Sequence, residues 1–213
     1  MAFTLEMARH ALDKLNETIE EKKDYLTELD SAIGDADHGT NMNRGIRRAV
    51  EKIRDKSCDT FADLFKEVAM TVMSAVGGSA GPLYGTFFMK LGQKLGAQRE
   101  VNVLEFAEAM QEGLAGVMSL GKSHPGDKTM IDALAPAIDA LRQGAESGDV
   151  EAWKKAAEAS EEGMKATIPM LAKRGRSSYL GERSIGHQDP GATSSYYMVA
   201  SFRDAVEIGR AHV

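Results

Sequence analysis

The chain has 213 residues, 43% hydrophobic and 27% charged, and a formal net charge of −6. That length gives one domain a real core and is short for two, so a single domain over residues 1–213 is expected. No apolar run reaches about 18 residues, which excludes a membrane-spanning helix, and an acidic chain with no basic block beyond Arg44-Gly45-Ile46-Arg47-Arg48 is a poor fit to nucleic acid. Glycine is frequent (21 residues) and falls between segments of helical periodicity; no run reads clearly as a strand. A first helix is predicted over 3–29, where Met7, Ala8, Ala11, Leu12, Leu15 and Ile19 recur three and four apart. A loop follows at 30–39 and a second helix at 40–54. A third opens at Thr60, with Asp63 in capping-box spacing, and ends at Gly77-Gly78. The fourth runs from Pro82 to about Gly96. The fifth opens at Asn102, with Glu105 in N-cap spacing, and ends at Gly121. The sixth runs from Asp127 or Thr129 to Gly148, and the seventh from Asp149 to about 172. A glycine- and serine-rich loop spans 173–189, and the eighth helix runs from Asp189-Pro190 to the C-terminus.

Short connections favour antiparallel neighbours, so eight such helices predict an all-α closed bundle. In an up-and-down arrangement, loops 30–39, 77–81, 121–128 and 173–189 fall at one end, where a site is expected. Met70, Met73, Met110, Met118 and Met164 are expected in the core, and Trp153 is expected to pack. Met130 is a core candidate that could equally flank a ligand ring. The N-terminus lacks a basic stretch followed by an apolar block, and the single Cys58 fits a reducing compartment; a cytoplasmic location is expected.

The segment Gly116 to Ser123 matches the phosphate-loop pattern GxxxxGK[ST]. That pattern works only between a strand and a helix. Here an amphipathic helix precedes it and His124-Pro125-Gly126 follows, so the match is read as accidental and Gly121 as a helix C-cap near a ligand.

Three segments could carry chemistry. Asp30, Asp35 and Asp37 crowd one helix-to-loop junction and repel unless cations or protons neutralise them. Oxygen ligands favour Mg²⁺ or Ca²⁺. An EF-hand fails, because the twelfth position from Asp35 is Ile46. A metal-phosphate site fits better, the plain alternative being an acidic surface loop with helix caps. On the crowding argument, removing one aspartate is expected to stabilise the metal-free protein. Gly77-Gly78-Ser79-Ala80-Gly81-Pro82 leads into a helix N-terminus, where backbone amides favour anions. Arg176, in the glycine-rich loop, is a candidate phosphate clamp. For Asp189, helix capping and ligand contact both stand.

Gly34 to Asn41, Gly77 to Gly85, Gly126 to Asp132, Gly175 to Gly181 and Gly186 to Ala192, in this order and spacing, resemble the dihydroxyacetone kinase L family over essentially the whole chain. The resemblance implies a barrel of eight antiparallel helices with a nucleotide at one end. It implies magnesium ligands at Asp30, Asp35 and Asp37. Nucleotide contacts are implied at His38, Gly39, Thr40, Asn41, Ser79, Ala80, Gly121, Met130, Arg176, Asp189, Pro190 and Gly191. Two Mg²⁺ ions would bridge the aspartates to ADP or ATP, backbone amides at 39–41 and 79–80 would take further oxygens, and Arg176 would offset charge at the transferred group. With the chain ending at Val213 and no substrate domain, the separate-subunit type is expected. There, a phosphohistidine on an M subunit recharges bound ADP, and a K subunit holds dihydroxyacetone. A subunit that exchanges free ATP, and a nucleotide-loaded regulatory module, are the alternatives; a homodimer is left open.

Overall fold

The computed structural model describes residues 2–211, the last by its backbone alone. Eight α-helices account for most of the described residues: α1 (Leu5–Ile33), α2 (His38–Asp55), α3 (Phe61–Ala75), α4 (Ala80–Leu95), α5 (Val103–Gly121), α6 (Ile131–Gly144), α7 (Asp149–Ala166) and α8 (Pro190–Ala211). Two 3-10 segments, Ala145–Ser147 and Arg176–Ser184, interrupt the loops. The final positions of the expected eighth helix, 212–213, lie outside the described residues.

The capping residues set the helix starts. The Thr4 hydroxyl accepts the Met7 N–H, and the Thr60 hydroxyl accepts the Asp63 N–H at 3.1 Å. Asn102 and Glu105 form a reciprocal capping box, each side chain accepting the other's backbone N–H. Such caps each contribute about 1 kcal/mol by satisfying donors that the first helical turn leaves free.

Several boundaries differ from the sequence expectation. Helix α1 continues to Ile33, so Asp30 lies in its last turn, not in a loop, and α2 begins at His38, not 40. Helix α6 starts only at Ile131, because the Asp132 carboxylate accepts the N–H groups of Gly126 and Thr129 and folds the preceding residues into a loop. Helix α7 stops at Ala166, not 172. The carbonyls of Thr167, Ile168 and Met170 turn instead toward the Lys128 ammonium. A two-residue strand β1 (Phe3–Thr4) pairs antiparallel with β2 (Glu100–Val101), pieces too short to leave an alternating pattern.

Each helix packs on the next in chain order, and α8 returns to α1. One hydrophobic cluster runs through the interior, closed near the N-termini of α1, α5 and α7 by Phe3, Phe106, Trp153 and Phe202. Their ring centroids lie 4.4–5.9 Å apart, within aromatic packing range. Full burial of each such side chain stabilises by roughly 1.5–3 kcal/mol. Met110, Met130, Met164 and Trp153 are buried. Met70 and Met73 are not core residues: both are exposed, and Met73 lies along the outside against Gly85 of α4. Met118 is half-buried. Among the described residues no helix is long and apolar enough to cross a membrane.

Candidate functional site

A cleft of about 370 Å³ opens at the end of the molecule away from the aromatic closure. It gathers the C-terminal end of α1, the N-terminal ends of α2, α4, α6 and α8, and the C-terminal end of α5. The loops at 30–39, 77–81, 121–128 and 173–189 all contribute to it. Consecutive helices thus present opposite ends to the cleft.

One carboxylate oxygen from each of Asp30, Asp35 and Asp37 lies within 4.8 Å of the others. Asp30 is buried, and its Oδ2 accepts the N–H groups of Asp37 at 2.8 Å and His38 at 3.1 Å. The last turn of α1 therefore cradles the start of α2. Gly34 is required here: a Cβ would lie 2.0 Å from Asp30 Oδ1. Asp35 and Asp37 complete the group from the loop, and the Arg176 guanidinium lies 3.1 Å from Asp35. Three hard oxygen donors, with few competing protein ligands, fit Mg²⁺, which keeps water and phosphate oxygens in its remaining positions.

Two helix N-termini face this cluster. Among the described residues, the N–H groups of Gly39 and Thr40 in α2, and of Ser79, Ala80 and Gly81 at the start of α4, have no partner in the chain. Such amides, with the positive end of the helix dipole, favour anions. The Asn41 N–H is not among them, because it donates to the Asp37 carbonyl at 2.9 Å; the expectation of free amides over 39–41 is corrected to 39–40. The glycines before α4 also have packing reasons: Gly78 has φ +65°, and a Cβ on Gly81 would lie 2.4 Å from the Val76 carbonyl. Helix α5 runs unbroken through Gly116 to Gly121, so helix and not strand leads into this segment, and Gly116 to Ser123 does not form a phosphate loop.

Asp30, Asp35, Asp37, His38, Asn41, Ser79, Ala80, Gly121, Met130, Arg176, Asp189, Pro190 and Gly191 all line the cleft. Gly39 and Thr40, also expected there, do not. Thr40 is exposed, and Gly39 is pressed against α1, where a Cβ would lie 2.0 Å from the Lys23 carbonyl. His38 Nε2 is 2.8 Å from Ser194 Oγ, and burial pushes the imidazole pKa down despite the nearby Asp30 and Asp37. Asp189 caps α8 by accepting the Ala192 N–H at 2.7 Å; burial pushes its pKa up to about 7. Capping and cleft contact thus coincide in this one residue.

Several residues at the cleft were not singled out from sequence. The buried Tyr84 hydroxyl meets Ser194 Oγ and Ser195 Oγ, each at 2.7 Å, and burial raises its pKa to about 12, so it stays a neutral donor. Arg174 lines the wall and reaches Asp127 at 3.6 Å. Lys128 also lines the cleft, with its side chain almost wholly buried. Lys128 and Asp132 do fall in the Gly126 to Asp132 motif, but a lysine or aspartate in a turn gives no sign by itself of being buried.

A mostly helical protein that gathers three carboxylates and two open helix N-termini round one cleft has the donor set that suits a metal-bound phosphate ligand. The chain belongs to the DAK2 domain family, which matches residues 32–204. It is 44% identical over 190 residues to the PEP-dependent dihydroxyacetone kinase, ADP-binding subunit DhaL, of Escherichia coli (strain K12), covering 88% of this chain and 90% of that one. It is 38% identical over 203 residues to the PTS-dependent dihydroxyacetone kinase, ADP-binding subunit DhaL, of Lactococcus lactis, covering 95% and 98%. Among solved structures, the dihydroxyacetone kinase of C. freundii in complex with AMP-PNP and Mg²⁺ matches with a TM-score of 0.73 at 26% identity, covering 92% of this chain and 33% of that one.

Proposed function

We propose that this chain is the ADP/ATP-binding subunit of a phosphoenolpyruvate-dependent dihydroxyacetone kinase, a phosphotransferase that relays a phosphoryl group through its bound nucleotide. The observation that carries this reading is the convergence of Asp30, Asp35 and Asp37 with the α2 and α4 N-termini on one cleft. In this reading the whole chain is one domain, a closed barrel of eight antiparallel helices, working in the cytoplasm. Its partners are a K subunit that holds dihydroxyacetone and an M subunit that donates from a phosphohistidine.

The three aspartates would hold Mg²⁺, two ions in this reading, which would supply charge neutralisation among the phosphate oxygens. The N–H groups of Gly39, Thr40, Ser79 and Ala80 donate to oxygens the metal leaves free. Gly121, Met130, Pro190, His38, Asn41, Asp189 and Gly191, which line the cleft, would contact the nucleotide, Met130 flanking the adenine ring. Arg176 offsets charge at the transferred group. No nucleophile on this chain is needed, since donor and acceptor both come from partner subunits.

The test is to purify the protein in Mg²⁺, desalt it, denature it and quantify released nucleotide by chromatography. Near one ADP per chain supports a captive nucleotide recharged in place. An empty protein that readily binds and exchanges ATP favours an ATP-consuming subunit. No nucleotide retained and none bound overturns the proposal.

A further inference from the structure

Lys128 is only 1% exposed, yet it carries an ammonium group. Five backbone carbonyls surround its Nζ: His187 at 2.6 Å, Ser184 at 2.7 Å, Thr167 at 2.9 Å, Met170 at 3.2 Å and Ile168 at 3.4 Å. Among the described residues no carboxylate pairs with it directly; Asp189 acts on it only at longer range. Three ammonium protons shared among five oxygens make a cage of the kind that holds a bare monovalent cation. Burying a charge without a contacting counter-ion is costly, so this arrangement needs a compensating use.

The carbonyls come from the two limbs of one segment, 167–170 on the outgoing side and 184–187 on the return. The limbs are also joined by the Gly186 N–H to the Ile168 carbonyl at 2.7 Å and by the Ala172 N–H to the Ser184 hydroxyl at 2.9 Å. Between them the chain projects to the cleft and carries Arg174 and Arg176. On the other side of Lys128, Thr129 and Met130 line the same cleft. One ammonium therefore connects the wall that bears Met130 with the segment that bears Arg176. Lys128 also has φ +64°, a left-handed backbone that disfavours a non-glycine residue.

We propose that Lys128 is a positioning residue, a built-in monovalent cation that fastens segment 167–187 and thereby holds Arg176 against the carboxylate triad. The fastening follows from the carbonyl cage alone; its effect on ADP rests on the function proposed above.

The full chain is compared with Lys128→Gly and Lys128→Met. Glycine suits the left-handed backbone, so loss in that variant does not come from strain; methionine keeps much of the stem. Amide hydrogen exchange over 167–187, measured without nucleotide, is expected to speed up about tenfold or more in both variants, as for loss of charged hydrogen bonds. In Lys128→Gly, n-butylammonium is expected to restore protection and neutral n-butanol is not. If Lys128→Gly does not fold, recovery of its helical signal by n-butylammonium but not n-butanol supports the proposal, and failure of that recovery overturns it. Unchanged exchange in both variants also overturns it.

The link to Arg176 is read from the Mg²⁺–ADP dissociation constant. Lys128→Met is expected to weaken binding about tenfold in the native background and to have little effect in Arg176→Ala. Equal weakening in both backgrounds overturns the positioning role, because Lys128 then acts independently of Arg176. If the native chain binds no ADP, the function proposed above fails, while the exchange experiment still decides the fastening.

Discussion

The Arg176 guanidinium lies 3.1 Å from the Asp35 carboxylate, so a cation from the segment before α8 offsets part of the charge crowded at the end of α1. Both side chains are substantially exposed, and such pairs contribute little to stability. Arg176→Ala is therefore expected to change the stability of the nucleotide-free protein by less than about 1 kcal/mol. The same change is expected to weaken Mg²⁺–ADP binding about tenfold, as for a charge-assisted phosphate contact. Thermal melts and calorimetric titration check both. A large drop in melting temperature with unaltered ADP affinity would remove Arg176 from the site.

The three aspartates are not equivalent. Asp30→Ala leaves the N–H groups of Asp37 and His38 without their carboxylate and is expected to cost about 2 kcal/mol, a fall of roughly 4–8 °C in melting temperature. Asp37→Asn strands no such donor and relieves like-charge crowding, so the metal-free protein is expected to melt no lower than the native chain. Both variants are expected to lose Mg²⁺-dependent ADP binding. Equal destabilisation by the two would contradict the distinct roles.

Burial raises the Asp189 pKa to about 7. Between about pH 4 and 7 an unfolded chain has this carboxyl ionised while the folded chain keeps its proton. Folding then takes up a proton, so this group's stabilising contribution is lost as pH rises across that window, with a slope of at most about 1.4 kcal/mol per pH unit. Asp189→Asn keeps an oxygen to accept the Ala192 N–H and is expected to remove that component. Denaturant melts from pH 4 to 8 on both proteins check it; an identical slope in the variant would sink the assignment.

Tyr84→Phe deletes the hydroxyl that Ser194, Ser195 and the Gly191 carbonyl share. The buried groups left behind are expected to cost about 1–3 kcal/mol. Amide exchange at the start of α8 is expected to rise with it. A variant as stable as the native chain, with unchanged exchange there, would show that the serines re-pair without the tyrosine.

Caps, three-and-four periodicity and glycine stops made most of the helices legible, as Thr60 with Asp63 and Asn102 with Glu105 illustrate. These signals are local: each depends on residues within a turn or two of one another. The closeness of Asp35 and Asp37 was legible for the same reason, and the order of the glycine-rich motifs carried the resemblance to a family. The sequence by itself thus determined the helix content, the acidic junction and many of the residues that line the cleft. It could not say that Asp30 would lie inside α1, that the Asn41 amide would be spent on Asp37, or that Met70 and Met73 would face solvent. Nor could it say that Lys128 would be enclosed by carbonyls from 167 to 187 or that Tyr84 would meet Ser194. Those outcomes join residues far apart in the chain, and a buried polar group is satisfied by whichever partners the packed helices bring to it. Tertiary structure alone decided them.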